Sequence, residues 1–542
     1  MKKFLTILVV IISLAFLSAN LHADETFSRV GIIPADSLDI GGFGHVIAGM
    51  DFDNDGKPEI YAVNTDWHDM TGLDLVPRIY KYEETSPGVW EVVWSTRLPL
   101  DFQNTWAPLA PADLDGDGKW EVVWGPVNNF GGGLQPNPDR IVVFETPGDG
   151  SDNMGIDNGD GTWAPNASWT ITTLDNFDLR PFRWIITDID NDGTQEIVTA
   201  LRRGDNRAAV YSVDNIPDNG DGSETWTLEW EGTGTTTHYD LAVIGSNMYF
   251  ITSGGDVTKV TATGPNTYME GATQVGLVGG GSWKSASTVD VDGDGQEEII
   301  VASWSSSDND VYLLQESGDT LVSTKIKNVP SSSFRSYGGA AGDVDGDGNL
   351  DFIFGTRQAT PNGLIHRLEY QGGSITDSSN WVLTGIDSLI SSTATQYDII
   401  ATADLDNDGD DEVIYTGTPR GNAATDPPQP IVILNAVVTG IGDGNVASVP
   451  QGFSLSQNYP NPFNPETQIN FTIPRTLPVT LKIYNIRGQE VRTLVSGVRS
   501  AGTHTVRWNG LDNHGIKVAS GVYVYSLRAG KFVETKKMTL LK

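Results

Sequence analysis

One nine-residue phrase occurs six times in this chain, acidic at positions 1, 3, 5 and 9 and glycine at position 6. The copies are DFDNDGKPE (Asp51, Asp53, Asp55, Glu59), DLDGDGKWE (Asp113, Asp115, Asp117, Glu121), DIDNDGTQE (Asp188, Asp190, Asp192, Glu196), DVDGDGQEE (Asp290, Asp292, Asp294, Glu298), DVDGDGNLD (Asp343, Asp345, Asp347, Asp351) and DLDNDGDDE (Asp404, Asp406, Asp408, Glu412). Carboxylates this close repel one another unless a cation sits among them. A hard ion such as Ca²⁺ takes six to eight oxygens. Alternate residues of a tight loop can aim their carboxylates at one point, glycine at position 6 permits the sharp turn, and the carbonyl at position 7 adds an oxygen. The 24 acidic residues named above are therefore the expected metal ligands, at about six structural Ca²⁺ sites.

The surroundings of the phrase exclude an EF-hand, which ends in glutamate at position 12 and lies between helices. Here strand-like runs follow at once, for example EIYAVN, EVVWG and DFIFGT, and a shorter one precedes each loop, often opened by an aromatic (Phe43, Trp106, Phe182, Trp283, Tyr337, Tyr397). Each loop thus reads as the tip of a β-hairpin. Two further strand-like runs follow, such as RIYKYE (78–83) with WEVVWST (90–96), and a fourth run WTITTL (169–174). Four strands per unit, repeating every roughly 50 to 75 residues, predict a β-propeller. The wide gap between Asp188 and Asp290 holds HYDLAVIGSNMYFITSGG (238–255), a hairpin with GSN in place of the acidic loop. It reads as a seventh blade, near 238–280, without a metal. The last unit stops one strand short, and FSRVGII (27–33) supplies the missing strand, closing the ring and removing exposed edges.

Composition narrows the setting. MKKFLTILVVIISLAFLSANLHA reads as a secretory signal, charged at Lys2 and Lys3 and apolar from Phe4 to Leu17. No transmembrane segment is expected in the mature chain. With no cysteine, no disulfide can staple an exported chain of 542 residues; bound cations are the expected staple. The formal net charge is −36, yet residues 451–542 hold 12 Lys and Arg against 4 Asp and Glu, a net of +8. The acidity belongs to the part before 450, which makes nucleic acid an unsuitable partner.

The stretches GGFGHVIAGMDFDNDGKPEI and YGGAAGDVDGDGNLDFIFG resemble the FG-GAP/VCBS repeats of integrin α-subunits and many secreted bacterial proteins. The resemblance covers about residues 27–438. It implies Ca²⁺ bound through positions 1, 3, 5 and 9, and none at the blade carrying Asp240, which departs from the pattern. Beyond a linker, NYPNPFNP, IYNIRGQEV, WNGLDNHG and ASGVYVY resemble the type A C-terminal sorting domain of the type IX secretion system. That implies export through the periplasm and an outer membrane by the type IX machinery, with release or attachment at the cell surface. Period-2 runs between Gly and Asn turns predict an Ig-like β-sandwich for this part. The expected organisation is all-β: signal peptide 1–23, seven-bladed propeller 24–438, linker 439–452 and sorting domain 453–542, as a monomer.

Candidates for activity lie on the face opposite the acidic loops: Trp67, His68, Asp69, Trp106, Asn128–Phe130, Arg202, Arg203, Trp304, Phe334, Arg335 and Tyr397. Most of the aromatics are expected to pack between blades; the mixture with Asp, Asn and Arg also suits a glycan or polar surface polymer. The tripeptide Arg203–Asp205 arises too easily by chance to carry weight. No nucleophile elbow, zinc motif or phosphate loop is present. Outside the signal and tail, histidine is confined to His45, His68, His238 and His366. The chain reads as a binding or adhesion module, with a polysaccharide lyase or hydrolase on a calcium-bearing propeller as the alternative.

Overall fold

The computed structural model describes residues 26–437 and 453–541. Within the first range 37, 40, 66–75, 100–105, 127–138, 171–180, 203–207, 234–235, 306–308, 330–334, 358–363, 389–394 and 420–428 are excepted, and within the second 474–476, 500–501, 514–515 and 531. Seven four-stranded antiparallel sheets occupy the first range. Blades 1 to 6 span 43–97, 109–169, 181–231, 238–274, 287–328 and 336–387. Blade 7 takes its three inner strands from 395–437 and its outermost from Thr26–Ile33, which pairs antiparallel with Ile431–Val437. The first strands of successive blades are neighbours in cyclic order, that of blade 7 lying against that of blade 1, so the ring closes.

The sequence of the middle strands explains the stacking. Glu59–Asn64 and Glu196–Leu201 are buried at every position, because a strand sandwiched between two other sheets has no wet face. Side chains alternate between the two neighbours. Ile60 and Ala62 of blade 1 pack with Ile399, Ile414 and Ile433 of blade 7, whereas Tyr61 and Val63 pack with Leu109, Val122 and Trp124 of blade 2. The fourth strands are partly exposed, as in Val89–Arg97 and Thr267–Gln274.

Three local features differ from expectation. The outermost strand of blade 2 is the three-residue Ala167–Trp169, overlapping only the start of the expected run 169–174, much of which lies outside the described residues. Ahead of it a two-stranded hairpin, Ile156–Asp157 with Trp163–Ala164, fills an acidic insertion too short in each arm to show periodicity. Trp106 and Trp283 do not open strands. They precede Leu109–Ala112 and Ser287–Val289 in irregular segments, with Trp106 itself at φ +63°. In blade 4 the first hairpin turns at Gly245 and Ser246, between the paired residues Ile244 and Asn247.

The second range forms two sheets, of three and four strands. They enclose a core that includes Phe463, Phe471, Leu481, Trp508, Tyr525 and Leu527, all from residues 455–540. Among the described residues no helix is long and apolar enough to cross a membrane.

Candidate metal centres

Each acidic phrase joins the first strand of its blade to the second, and each folds in the same way. The side chain at position 2 (Phe52, Leu114, Ile189, Val291, Val344, Leu405) is buried and anchors the loop. Its backbone N–H donates to the carboxylate at position 9. The distances are 2.9 Å for Phe52 to Glu59, 2.7 Å for Leu114 to Glu121, 2.9 Å for Ile189 to Glu196, 3.2 Å for Val291 to Glu298, 3.1 Å for Val344 to Asp351 and 2.7 Å for Leu405 to Glu412. In blades 1, 2, 3, 5 and 6 position 1 accepts from the glycine N–H at position 6, as Asp290 does from Gly295 at 2.9 Å and Asp343 from Gly348 at 2.9 Å, whereas neither carboxylate oxygen of Asp404 in blade 7 has a hydrogen-bond partner. Position 5 accepts from the N–H at position 7, at 2.8 Å for Asp117, Asp192 and Asp294. Short acceptors bonding two residues ahead wrap the backbone around the carboxylates.

Two residues of each loop have left-handed backbone. Gly56, Gly118, Gly193, Gly295, Gly348 and Gly409, at position 6, have φ between +84° and +105°. Position 4 is left-handed as well, and it is occupied only by Asn54, Gly116, Asn191, Gly293, Gly346 and Asn407. These are the residue types that tolerate that region. The restriction to Asn or Gly at position 4 is a signal that the reading based on position 6 alone passed over.

The carboxylates converge. In blade 2, Asp113, Asp115, Asp117 and Glu121 each offer an oxygen within 4.8 Å of the others, and so do Asp51, Asp53 and Glu59 in blade 1 and Asp188, Asp190 and Glu196 in blade 3. Asp55 instead pairs with Lys57 at 2.7 Å. Asp290, Asp292, Asp294 and Glu298 of blade 5, Asp343, Asp345, Asp347 and Asp351 of blade 6, and Asp404, Asp406, Asp408 and Glu412 of blade 7 occupy the equivalent places in their own hairpins. Burial pushes the position-9 carboxyls far up: Glu121 to about 10, Glu196 and Glu412 to about 9, Glu59 and Asp351 to about 8, Glu298 to about 7. Burial also raises Asp343 and Asp404 at position 1 to about 7. One buried oxygen each of Glu121, Glu196 and Glu412 has no hydrogen-bond partner. Buried carboxylate oxygens without a donor, arranged at the spacing of oxygen ligands, fit a hard divalent cation.

Three of the loops, those of blades 2, 3 and 6, also lean on the next blade. Ile216 N–H of blade 3 donates to Asp115 at 2.8 Å, Asn266 N–H of blade 4 to Asp190 at 2.5 Å, and Asp411 N–H of blade 7 to the Asp343 carbonyl at 2.9 Å. The third strands add charged groups that the sequence reading did not single out. Glu83, Glu145 and Glu369 lie beside the position-9 carboxylates, and Lys81 and Arg367 lie beneath the loops of blades 1 and 6. Their only signal in the sequence is a charged residue inside an otherwise apolar run.

At the opposite end of the first strands, Trp106, Phe182, Trp283 and Tyr337 form one cluster with Tyr239 and Trp304 packed against it. Trp283 is central, 5.0 Å from Trp106, Phe182 and Trp304 between ring centroids. Arg202 lies 4.8 Å over the Trp106 ring and Arg335 4.3 Å over Trp304. Tyr397 is buried against Tyr415 within blade packing. Trp67, His68, Asp69, Asn128–Phe130, Arg203–Asp205 and Phe334 lie outside the described residues. His238 and His366 pack on Phe250 and Phe354. Burial, with Lys284 and Arg183 nearby, holds the His45 imidazole far below its ordinary range. Asp240 is buried and accepts from Arg183, from Ser282 and from the N–H groups of Leu241, Ser285 and Ala286, a structural anchor away from any acidic loop.

The FG-GAP-like repeat family matches residues 51–124 and 290–354, and the FlgD Ig-like domain family matches 461–531. No curated protein matches the sequence. Among solved structures, the chain is similar to PorZ, described as an essential bacterial surface component of the type-IX secretion system of Porphyromonas gingivalis. The identity is 12%, the match covers 89% of this chain and 58% of PorZ, and the TM-score is 0.37. It is also similar to the exotype rhamnogalacturonan lyase YesX (14%, 76% and 75%, TM-score 0.40) and to the WD40 propeller domain of Doa1 (10%, 76% and 97%, TM-score 0.41). At these scores the likenesses carry no argument about activity.

Proposed function

We propose that this chain is an exported, calcium-stabilised propeller that acts as a binding or adhesion module toward a surface polysaccharide. The observation that carries the reading is the separation of two chemistries. The acidic loops occupy one end of the blades, and the aromatic–arginine cluster of Trp106, Trp283, Trp304, Arg202 and Arg335 occupies the other. Trp106, Phe182, Trp283 and Tyr337 are buried and form the floor of that end. The half-buried Tyr239, Trp304, Arg202 and Arg335 above them are the groups that suit the apolar faces and the hydroxyl or carboxylate edges of sugars. The loops, with buried carboxylates lacking donors, suit Ca²⁺ in a structural role. The C-terminal Ig-like domain, with its basic balance and NYPNPFNP opening, supports an address read by the type IX machinery, and hence a surface or extracellular destination. A glycan array read together with release of reducing or unsaturated ends from a polysaccharide panel tests the proposal. Binding without product is expected. New chain ends would replace the module by a polysaccharide-degrading enzyme.

A further inference from the structure

Two of the six loops contain a cation that the chain itself supplies. Lys81 lies in the third strand of blade 1, paired in register with Tyr61, two residues beyond the position-9 carboxylate. Its ammonium is 2.6 Å from Asp53 at position 3, 3.1 Å from Glu59 at position 9, 3.3 Å from Glu83 and 3.0 Å from Asp152 of the neighbouring blade. Arg367 holds the same place in blade 6, paired with Ile353. It bonds Asp345 at position 3, reaches Asp351 at position 9 over 2.6 Å, and lies 3.3 Å from Glu369. The two side chains are 1% and 4% exposed.

In the other four blades with an acidic loop this register position is aliphatic: Val143, Val210, Leu313 and Ile433, opposite Val123, Val198, Ile300 and Ile414. Among the described residues of those four blades, no basic side chain occupies that register position beneath positions 3 and 9. Lys119, at position 7 of the blade 2 loop, pairs with Asp117, Glu145 and Asp218 at the rim and is 23% exposed. Blades 1 and 6 are also the two that flank blade 7, where the ends of the propeller chain meet.

We propose that Lys81 and Arg367 are resident countercharges that keep two loops closed without metal, so that the protein has two classes of calcium site. The loops of blades 2, 3, 5 and 7 require Ca²⁺ to hold their carboxylates together. Those of blades 1 and 6 hold theirs with an ammonium or guanidinium and bind Ca²⁺ at least tenfold more weakly. The blades on either side of the closing blade therefore keep their hairpin tips ordered when calcium is scarce. The inference rests on the calcium reading of the loops.

Calcium titration of the full chain by calorimetry, combined with hydrogen exchange in Ca²⁺ and in EDTA, tests it. About four tight sites are expected, and in EDTA the amides of 113–121, 188–196, 290–298 and 404–412 gain exchange while those of 51–59 and 343–351 hold their protection. Lys81→Met and Arg367→Met should each add one tight site and make its loop EDTA-sensitive; Lys81→Arg should leave the count as it was. Six equivalent tight sites, or equal loss of protection in all six loops, would overturn the two-class proposal and leave the calcium reading standing. No bound calcium and no response to EDTA would overturn both. The exchange comparison needs only the unsubstituted protein, so a variant that fails to fold does not remove the test.

Discussion

At the scale of single residues, the buried polar groups divide into those that build the ring and those that build the loops. Asp240 belongs to the first kind. Its carboxylate is buried and accepts from Arg183 at 2.6 Å and from the Ser285 and Ala286 N–H groups at 2.6 and 2.8 Å, tying blades 3, 4 and 5 together near the axis. Asp240→Ala leaves Arg183 and those donors without their acceptor, and removing one partner of a buried pair costs about 3–5 kcal/mol. The variant should lose that order of stability in denaturant titration while its calcium count stays at the wild-type value. An acidic residue that served as a ligand would lower the count instead. His366 offers a second test. Burial lowers its pKa from 6.5 to about 4, so the folded state binds fewer protons than the unfolded one between those values. Its contribution is fully present above pH 6.5 and is lost as the pH falls toward 4. Stability should drop by about 2 kcal/mol from this source between pH 7 and pH 5. His366→Phe, which keeps the stack on Phe354, should remove that part of the slope in pH-dependent unfolding.

At the scale of elements, the hairpin is the repeating unit and the closing strand is the exception. A hairpin with its loop is specified by neighbours in sequence, and six copies fold alike. Thr26–Ile33 pairs with residues some four hundred positions away and is held from the side as well. The Arg29 guanidinium bonds both oxygens of Asp387 in blade 6, at 2.8 and 2.9 Å, and Asp387 also accepts from Tyr415 at 2.8 Å. Deleting 27–33 exposes the edge of Ile431–Val437 and removes Ile33 from the core between blades 7 and 1. An open edge also invites association with other chains. Calorimetry should show a lower and broader transition, with aggregation at concentrations where the full chain is stable. An unshifted, sharp transition would mean that the ring does not depend on this strand.

At the scale of the whole molecule, the proposed function makes cations and the C-terminal domain the two controls. Four carboxylates gathered at about 4 Å repel by several kcal/mol per pair at an effective dielectric near 20 before screening. A Ca²⁺ held at about 100 times its Kd returns about 2.7 kcal/mol per site. Because the loops of blades 2, 3 and 6 hydrogen-bond to the next blade, and that of blade 1 meets Asp152 of blade 2 through Lys81, the gains there are coupled. EDTA should lower the melting temperature steeply, and Ca²⁺, far more than Mg²⁺, should restore it; a melting curve indifferent to EDTA would remove calcium from the account. The C-terminal domain has a core of its own, drawn entirely from 455–540. Truncation before Phe453 should therefore leave the propeller folded and retained in the periplasm, checked by fractionation and circular dichroism. Normal appearance of the truncated protein in the medium would remove the sorting role.

What could be read from the chain alone is whatever is written locally and repeated. Six loops with the same acidic spacing, the strands on either side and a seventh hairpin turning at Gly245 without acids are contiguous patterns, because a β-hairpin is made by residues near one another in sequence. The closing strand is legible only because the last unit, counted strand by strand, stops one short. The position of a side chain relative to another strand is not written that way. Lys81 and Arg367 look like charged interruptions of apolar runs until register sets each two residues beyond a position-9 carboxylate. Asp152, Ile216 and Asn266 carry no signal in the sequence, and only the packing of the next blade brings them against a loop of the preceding one. Trp106 and Trp283 read as the first residues of strands, but they converge with Phe182 and Tyr337 at the axis. Packing seven sheets around one axis sets these neighbours, and packing joins residues by distance in space, which no local pattern records.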